Sequence, residues 1–294
     1  ETRADVKVIV SSATINAQVF SEYFGECPIV KIETQTYPVT LIYDPVIEAQ
    51  GLEKPGGKPK EEPRGGNRNS GRKPESSSPL RYSDEALYDK ILSIIQRSLS
   101  SRAEDEEGDI LVFLPGEKTI KECAMRLYQS PMAEALHIVP LYARLGKDEQ
   151  EKVFHPAPLG KSKVVIATNI AETSVTIDGI TVVIDSGLAK LNYYNPRSFT
   201  ASLIETPISK ASCNQRKGRA GRTRPGTCYR LYPRKDFENR PLFTTEEIYR
   251  TDLSEVVLRM AEVGISNVVE CEFITQTVKS GKAGALDIHN LLDA

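Results

Sequence analysis

The fold this sequence predicts is α/β: a parallel sheet with helices on both faces, followed by a small α-rich portion. Three observations predict it. Short apolar runs alternate with amphipathic helical stretches through most of the 294 residues. Runs such as VKVIV (6–10) are continuously apolar, as strands buried on both faces of a parallel sheet are. Three stretches of unusual composition are expected together at the carboxyl ends of such runs, where open parallel sheets bind ligands.

Taken in order, VKVIV reads as a buried strand and NAQVFSEYF (16–24) as a helix. YPVTLIYDP (37–45) is strand-like and stops at a proline. SDEALYDKILSIIQRSL (83–99) is an amphipathic helix, with Ser83 as N-cap and acidic residues in its first turn. DILVFLPG (109–116) is a strand entering a glycine loop. EKTIKECAMRLYQ (117–129) is a helix, LHIVPLYA (136–143) a strand, KDEQEKVF (147–154) a short helix and SKVVIATN (162–169) a strand. GITVVIDSG (179–187) is a further strand, and residues 188–206 read as a hairpin. SKASCNQRKGRAGR (209–222) is a helix, GTCYRLY (226–232) closes the sheet, and 244–265 is helical again.

Residues 48–79 interrupt this alternation. They hold almost no large apolar side chain and are rich in Gly, Pro, Ser and charge, so they cannot bury a core; they read as a flexible insertion. Its mixed basic character suits RNA, but a solvated loop is the simpler account.

Composition excludes several classes. Hydrophobic content of 39% and charged content of 27% are those of a globular protein. The net charge of −2 does not announce nucleic-acid binding, so any such site must be a local patch. Five cysteines and three histidines show no metal-ligand spacing, which suits a reduced, intracellular protein in cytoplasm or nucleus. No run reaches membrane length, so no membrane partner is expected. The chain opens directly on a strand, as a piece of a larger protein would.

The most informative stretch is QRKGRAGR (215–222). A basic run usually ends as a solvated face. On a helix turning about 100° per residue, Arg219 falls about 40° and Arg222 about 340° from Gln215, on one narrow face. Arg216 and Lys217 point elsewhere, and Gly218 flanks the face where a ligand or another backbone could come close. Two guanidinium groups and an amide suit a polyphosphate. A second stretch, ATNIAETSVTIDG (167–179), offers four hydroxyls (Thr168, Thr173, Ser174, Thr176) with Asn169, Glu172 and Asp178. Such groups donate to phosphates or a nucleic-acid backbone, although alone they are commonest in turns. The third stretch is SSAT (11–14).

In this order, SAT, ATNIAETSVTIDGI and QRKGRAGR resemble motifs III, V and VI of the DEAH-box RNA helicases of superfamily 2. DILVFLPG is similar to motif IV and PLYARL (140–145) to motif IVa; residues 195–216 resemble the family's hairpin segment and 246–265 the opening of its winged-helix domain. A DEAD-box protein usually has His where this chain has Gln215. The sequence has no GxxxxGK[ST] phosphate loop and no DEAH tetrad, and 270–294 departs from the family's usual Pro-rich pattern.

The resemblance implies three regions: a remnant of a first RecA-like domain with motif III and a linker (1–35), a second RecA-like domain (36–233), and a partial winged helix (234–294). It implies that Arg219 and Arg222 are arginine fingers on the γ-phosphate and that Gln215 helps hold the phosphate or attacking water. Asp178, Thr176 and Ser174 face nucleotide, Ser174 coupling it to the RNA side. Phe154 stacks on the base, plain core packing being the competing account. Thr168, Asn169 and Gly116 contact RNA phosphates. Ser12 and Thr14 couple the domains, and Arg216 and Lys217 are structural or solvated. ATP with Mg²⁺ is the implied cofactor, its metal ligands lying in the first RecA-like domain. Single-stranded RNA, that first domain and an activating protein are the implied partners. Two other classes stay open, a catalytically silent RecA-like interaction module and a DNA-directed superfamily 2 helicase. Gln215, Arg219 and Arg222 argue against the first, because a silent domain has no use for them.

Overall fold

A computed structural model of the chain describes residues 6–11, 17–30, 37–46, 82–100, 108–173, 175–195, 200–265 and 274. The expected insertion at 48–79, Ser12, Thr14, Ser174 and the stretch from 266 onward, Ile274 aside, lie outside the described residues.

Six strands form one parallel sheet: β1 (Val39–Tyr43), β2 (Asp109–Phe113), β3 (Leu136–Leu141), β4 (Ser162–Ala167), β5 (Ile180–Asp185) and β8 (Gly226–Arg230), in the spatial order β1-β8-β5-β2-β4-β3. β6 (Leu188–Asn195) and β7 (Thr200–Pro207) make a separate antiparallel hairpin. The helices are α1 (Ala17–Tyr23), α2 (Asp84–Ser100), α3 (Glu117–Tyr128), α4 (Lys147–Glu151), α5 (Ile170–Thr173), α6 (Lys210–Gly218), α7 (Arg234–Asn239) and α8 (Ser254–Glu262).

Alternation along the strands builds two cores. Ile110, Val112, Val164, Ile166 and Ile184 face α2 and α3, meeting Leu87, Ile91, Ile94 and Ile95 of the one and Ile120, Cys123 and Leu127 of the other. Those helical residues recur every three or four positions, so each helix buries one stripe. Leu111, Phe113, Val165, Ala167 and Val183 face the opposite side, with Ala171, Ile177 and Ala220. Each face is covered, as a parallel sheet requires. Ser83 caps α2 as expected, its Oγ accepting from the Ala86 N–H at 3.2 Å.

Two expectations need correction. Residues 6–11 form no strand and are exposed, Val8 to 72% and Ile9 to 91%. A parallel strand exists only through its neighbours, and among the described residues none pairs with this run. The strand that closes the sheet in sequence, β8, is interior in space, between β1 and β5.

Candidate functional site

The strands of this sheet, five or six residues each, are about 17–20 Å long, and the residues singled out in the sequence fall at opposite ends of them. Gly116, Thr168 and Asn169 stand at the carboxyl ends of the adjacent strands β2 and β4. The Thr168 N–H donates to Leu141 O at 3.1 Å and that of Leu114 to Ala167 O at 2.9 Å, which fixes both loops to the sheet. Asn169 is exposed. Gly116 begins α3, where its carbonyl accepts from the Ile120 N–H at 3.0 Å and the Thr119 hydroxyl at 2.8 Å. The exposed Lys190 of β6 lies across it: a Cβ on Gly116 would stand 3.1 Å from Lys190 Cε and Nζ. Sequence reasoning missed Lys190, because nothing local to β6 tells that the hairpin folds over this loop.

The remaining residues gather at the amino ends. Asp178 is exposed just before β5, where Gly179 O accepts from the Asp109 N–H at 2.8 Å. Phe154 ends a 3₁₀ turn (Lys152–Phe154) pinned to the start of β4, since the buried Lys163 ammonium donates to Val153 O and His155 O at 3.1 Å each. Phe154 itself is 57% exposed, so core packing does not account for it. The 3₁₀ turn Arg219–Gly221 lies just ahead of β8, and Arg222 follows it. Only the first half of the 167–179 stretch is thus at a carboxyl end; its second half and the arginine segment are at the other, which corrects the expectation that all lie together. The corrected arrangement follows from the chain path: α5 and residues 175–179 run back along the sheet from the end of β4 to the start of β5.

The arginine segment packs against that return path. Arg216 is fully buried. Its Nε donates to Glu172 Oε2 at 3.0 Å, and its Nη1 to Asp185 Oδ1 at 2.8 Å and Leu188 O at 3.2 Å. The guanidinium also stands 4.7 Å over the Phe113 ring. Burial alone would pull its pKa down, but the carboxylates of Asp185 and Glu172 outweigh it and hold the group charged. Asp185 is itself buried, accepting further from the Gly187 N–H at 2.9 Å and the Tyr232 hydroxyl at 3.0 Å. Arg216 is therefore structural, one of the two outcomes expected of it.

Arg219 is also buried, its Nη1 donating to Val175 O at 2.6 Å and its Nη2 to Glu172 O. Burial and then the neighbouring Arg222 charge draw its pKa down to about 10, against the pull of Glu172, so it stays protonated at neutral pH. Arg222 is exposed and touches the Thr176 hydroxyl, donating from Nη1 at 2.7 Å. Gln215 is half-buried one turn before Arg219. Gly221 is required by close approach: a Cβ there would come within 2.6 Å of Tyr37 O and Val39 Cγ2. At Gly218, by contrast, a Cβ would meet nothing within 4 Å, leaving the space beside the arginine row open.

Residues 88–224 match the family described as the helicase conserved C-terminal domain. The chain is 44% identical over 292 residues to the ATP-dependent RNA helicase HrpA of Borreliella burgdorferi, which covers 99% of this chain and 31% of that protein. It is 37% identical over 272 residues to HrpA of Escherichia coli, covering 92% of this chain and 18% of that protein. The chain thus spans a third or less of the curated relatives it matches. Among solved structures, a DEAH/RHA helicase HrpB from Escherichia coli superposes with a TM-score of 0.73 at 27% identity, over 96% of this chain and 31% of that one. The DExH-box NTPase HrpB of the same organism gives 0.71 at 27%, over 96% and 30%. A six-stranded RecA-like sheet carrying these motifs, with relatives and structural neighbours of one kind along nearly its whole length, makes the chain a homologue of part of the helicases HrpA and HrpB, with a helicase conserved C-terminal domain at 88–224.

Proposed function

We propose that the intact protein is an ATP-dependent RNA helicase of the DEAH type that couples ATP hydrolysis to translocation along single-stranded RNA. In it, residues 36–233 are the second RecA-like domain, with 48–79 a surface insertion, 1–35 the end of the first, and 234–294 the opening of a winged helix. The observation that carries this reading is the division of the motif residues between the two ends of the sheet. Thr168, Asn169 and Gly116 face RNA phosphates at the carboxyl end. Phe154, Thr176, Asp178 and the arginine pair face nucleotide at the amino end. Residues 167–180 join the two surfaces and supply the covalent path for coupling, in which Ser174 takes part and to which Ser12 and Thr14 connect the first domain.

The residues present suit a nucleoside triphosphate. Arg219 and Arg222 are adjacent cations whose own hydrogen bonds go to carbonyls and a hydroxyl. A polyanion placed there relieves their mutual repulsion. Bound ATP would supply the transferring phosphoryl group; Arg219 and Arg222 contact it and neutralise the charge developing on it, and Gln215 holds the phosphate or the attacking water. No group of three or more His, Cys, Asp or Glu side chains that could hold a metal occurs among the described residues. The resemblance implies that the Mg²⁺ ligands lie in the first RecA-like domain, and no step is derived through the ion.

The test is Arg222→Ala in the full-length protein. ATP turnover falls by about 10³, while RNA affinity without nucleotide and its salt slope stay unchanged. Near-normal turnover with weaker, less salt-sensitive RNA binding, the slope dropping by about one unit, moves this arginine to the RNA channel. Comparing ATPase stimulation by RNA and by DNA decides between the RNA- and DNA-directed readings.

A further inference from the structure

We propose that Glu172 is a positioning residue for Arg219: it fixes the turn on whose carbonyls that guanidinium rests. The inference rests on the reading of Arg219 as a phosphate contact. α5 has four residues, too few for a helix to hold its own shape. Its place must come from tertiary anchors, and Glu172 supplies one through the 3.0 Å bond from Arg216 Nε. The backbone oxygen of the same residue accepts from Arg219 Nη2, and Val175 O, three residues on, accepts from Nη1. One residue therefore meets two arginines, the first through its carboxylate and the second through its carbonyl.

The two carboxylates around Arg216 are not equivalent. Asp185 keeps the Gly187 N–H and the Tyr232 hydroxyl as donors whatever Arg216 does. The Glu172 carboxylate is held by Arg216. Its negative charge also opposes the repulsion that Arg222 exerts on Arg219. Removing that charge loosens the turn and lets two neighbouring cations move apart. The Arg219 guanidinium then leaves its place, and a misplacement of about 1 Å in a catalytic array costs about 10²-fold in rate.

The experiment is a cycle in the full-length protein. RNA-stimulated ATP hydrolysis is measured for wild type, Glu172→Gln, Arg219→Ala and the double variant. Glu172→Gln is expected to lower kcat about 10- to 100-fold, with KM for ATP and the Kd for RNA within about twofold. In the Arg219→Ala background the same change is expected to alter kcat less than about twofold, because its route of action is gone. Should Glu172→Gln melt below the assay temperature, Glu172→Asp replaces it; it keeps the charge but draws the carboxylate back, and the same non-additivity applies. An equal loss in both backgrounds, an unchanged kcat, or a loss carried by KM or RNA affinity overturns the proposal while leaving the finger reading intact. Normal turnover of Arg219→Ala alone overturns that reading and this inference with it.

Discussion

Arg216 and Arg222 are six residues apart in one motif, and the same substitution should have opposite consequences at the two. Methionine keeps much of the volume of arginine, so Arg→Met reads the loss of charge rather than a cavity. At 216 it strands Glu172 and takes one donor from Asp185, both buried. Removing one partner of a buried ion pair costs about 3–5 kcal/mol, chiefly because the other charge stays unpaired. The lost stacking over Phe113 acts in the same direction. For a domain of this size about 2–4 °C in Tm corresponds to each kcal/mol, so the melting temperature should fall by roughly 6–20 °C. At 222 the side chain is exposed and bonded to one hydroxyl. There Arg→Met should shift Tm by no more than about 2 °C, a surface change of about 0.5 kcal/mol or less. Thermal melting followed by circular dichroism reads both. An Arg216→Met protein melting within about 2 °C of wild type would refute the structural role argued for the buried network.

Asp44 joins the end of β1 to α2 through Lys90 and Arg97, the latter at 2.9 Å. Burial pushes its pKa up, but hydrogen bonds from Lys90 and Arg97 outweigh this and hold it below the ordinary value. A depressed folded pKa contributes stability above the unfolded pKa of about 3.9 and loses it as pH falls through the folded value. Asp44→Asn should therefore lower stability at pH 7, and its difference from wild type should vanish in denaturation series taken progressively below about pH 4. Burial pushes the Cys123 thiol up to about 12 and raises Cys213 and Cys228 as well. At pH 8 a thiol reagent should modify Cys27 ahead of these three, and rapid labelling of Cys123 in the folded protein would contradict the core described here.

Much of the sheet was legible because parallel strands buried on both faces leave continuous apolar runs. DILVF, SKVVIA and ITVVID appear as β2, β4 and β5, and the hairpin appears as read. What sequence does not carry is spatial order. β1 pairs with β8, Val39 opposite Gly226, although almost the whole described chain lies between them. The same ignorance put the arginine segment at the wrong end of the sheet. VKVIV fails for a related reason: apolarity marks what a strand could bury, whereas pairing depends on a neighbour. Helical arithmetic correctly turned Arg216 away from the Gln215 face, but could not tell that the direction it took led into the core.

The arithmetic also assumed one continuous helix, and the departure from it explains how the arginines line up. Three residues along an α-helix leave successive arginines about 60° apart, whereas three along a 3₁₀ turn bring them into line. α6 ends at Gly218 and the 3₁₀ turn begins at Arg219. Arg219 and Arg222 thereby follow Arg216 along the return path, meeting Glu172, then Val175, then Thr176. Both glycines of the motif stand at this switch, and they should behave differently. Gly221→Ala drives a methyl into Tyr37 O and Val39, and overpacking of this kind costs about 1–3 kcal/mol of stability. Gly218 has right-handed helical angles, φ −61° and ψ −15°, and open space where a methyl would go. Gly218→Ala should leave stability unchanged or raise it by about 0.4–1 kcal/mol, since alanine narrows the unfolded ensemble. If that space admits nucleotide beside the arginine row, the same methyl should raise KM for ATP about tenfold, equivalent to about 1.4 kcal/mol. Melting curves and steady-state ATPase assays of the full-length variant measure the two effects. A Gly218→Ala enzyme with wild-type KM and kcat would show that the open space beside Gly218 is not where nucleotide sits.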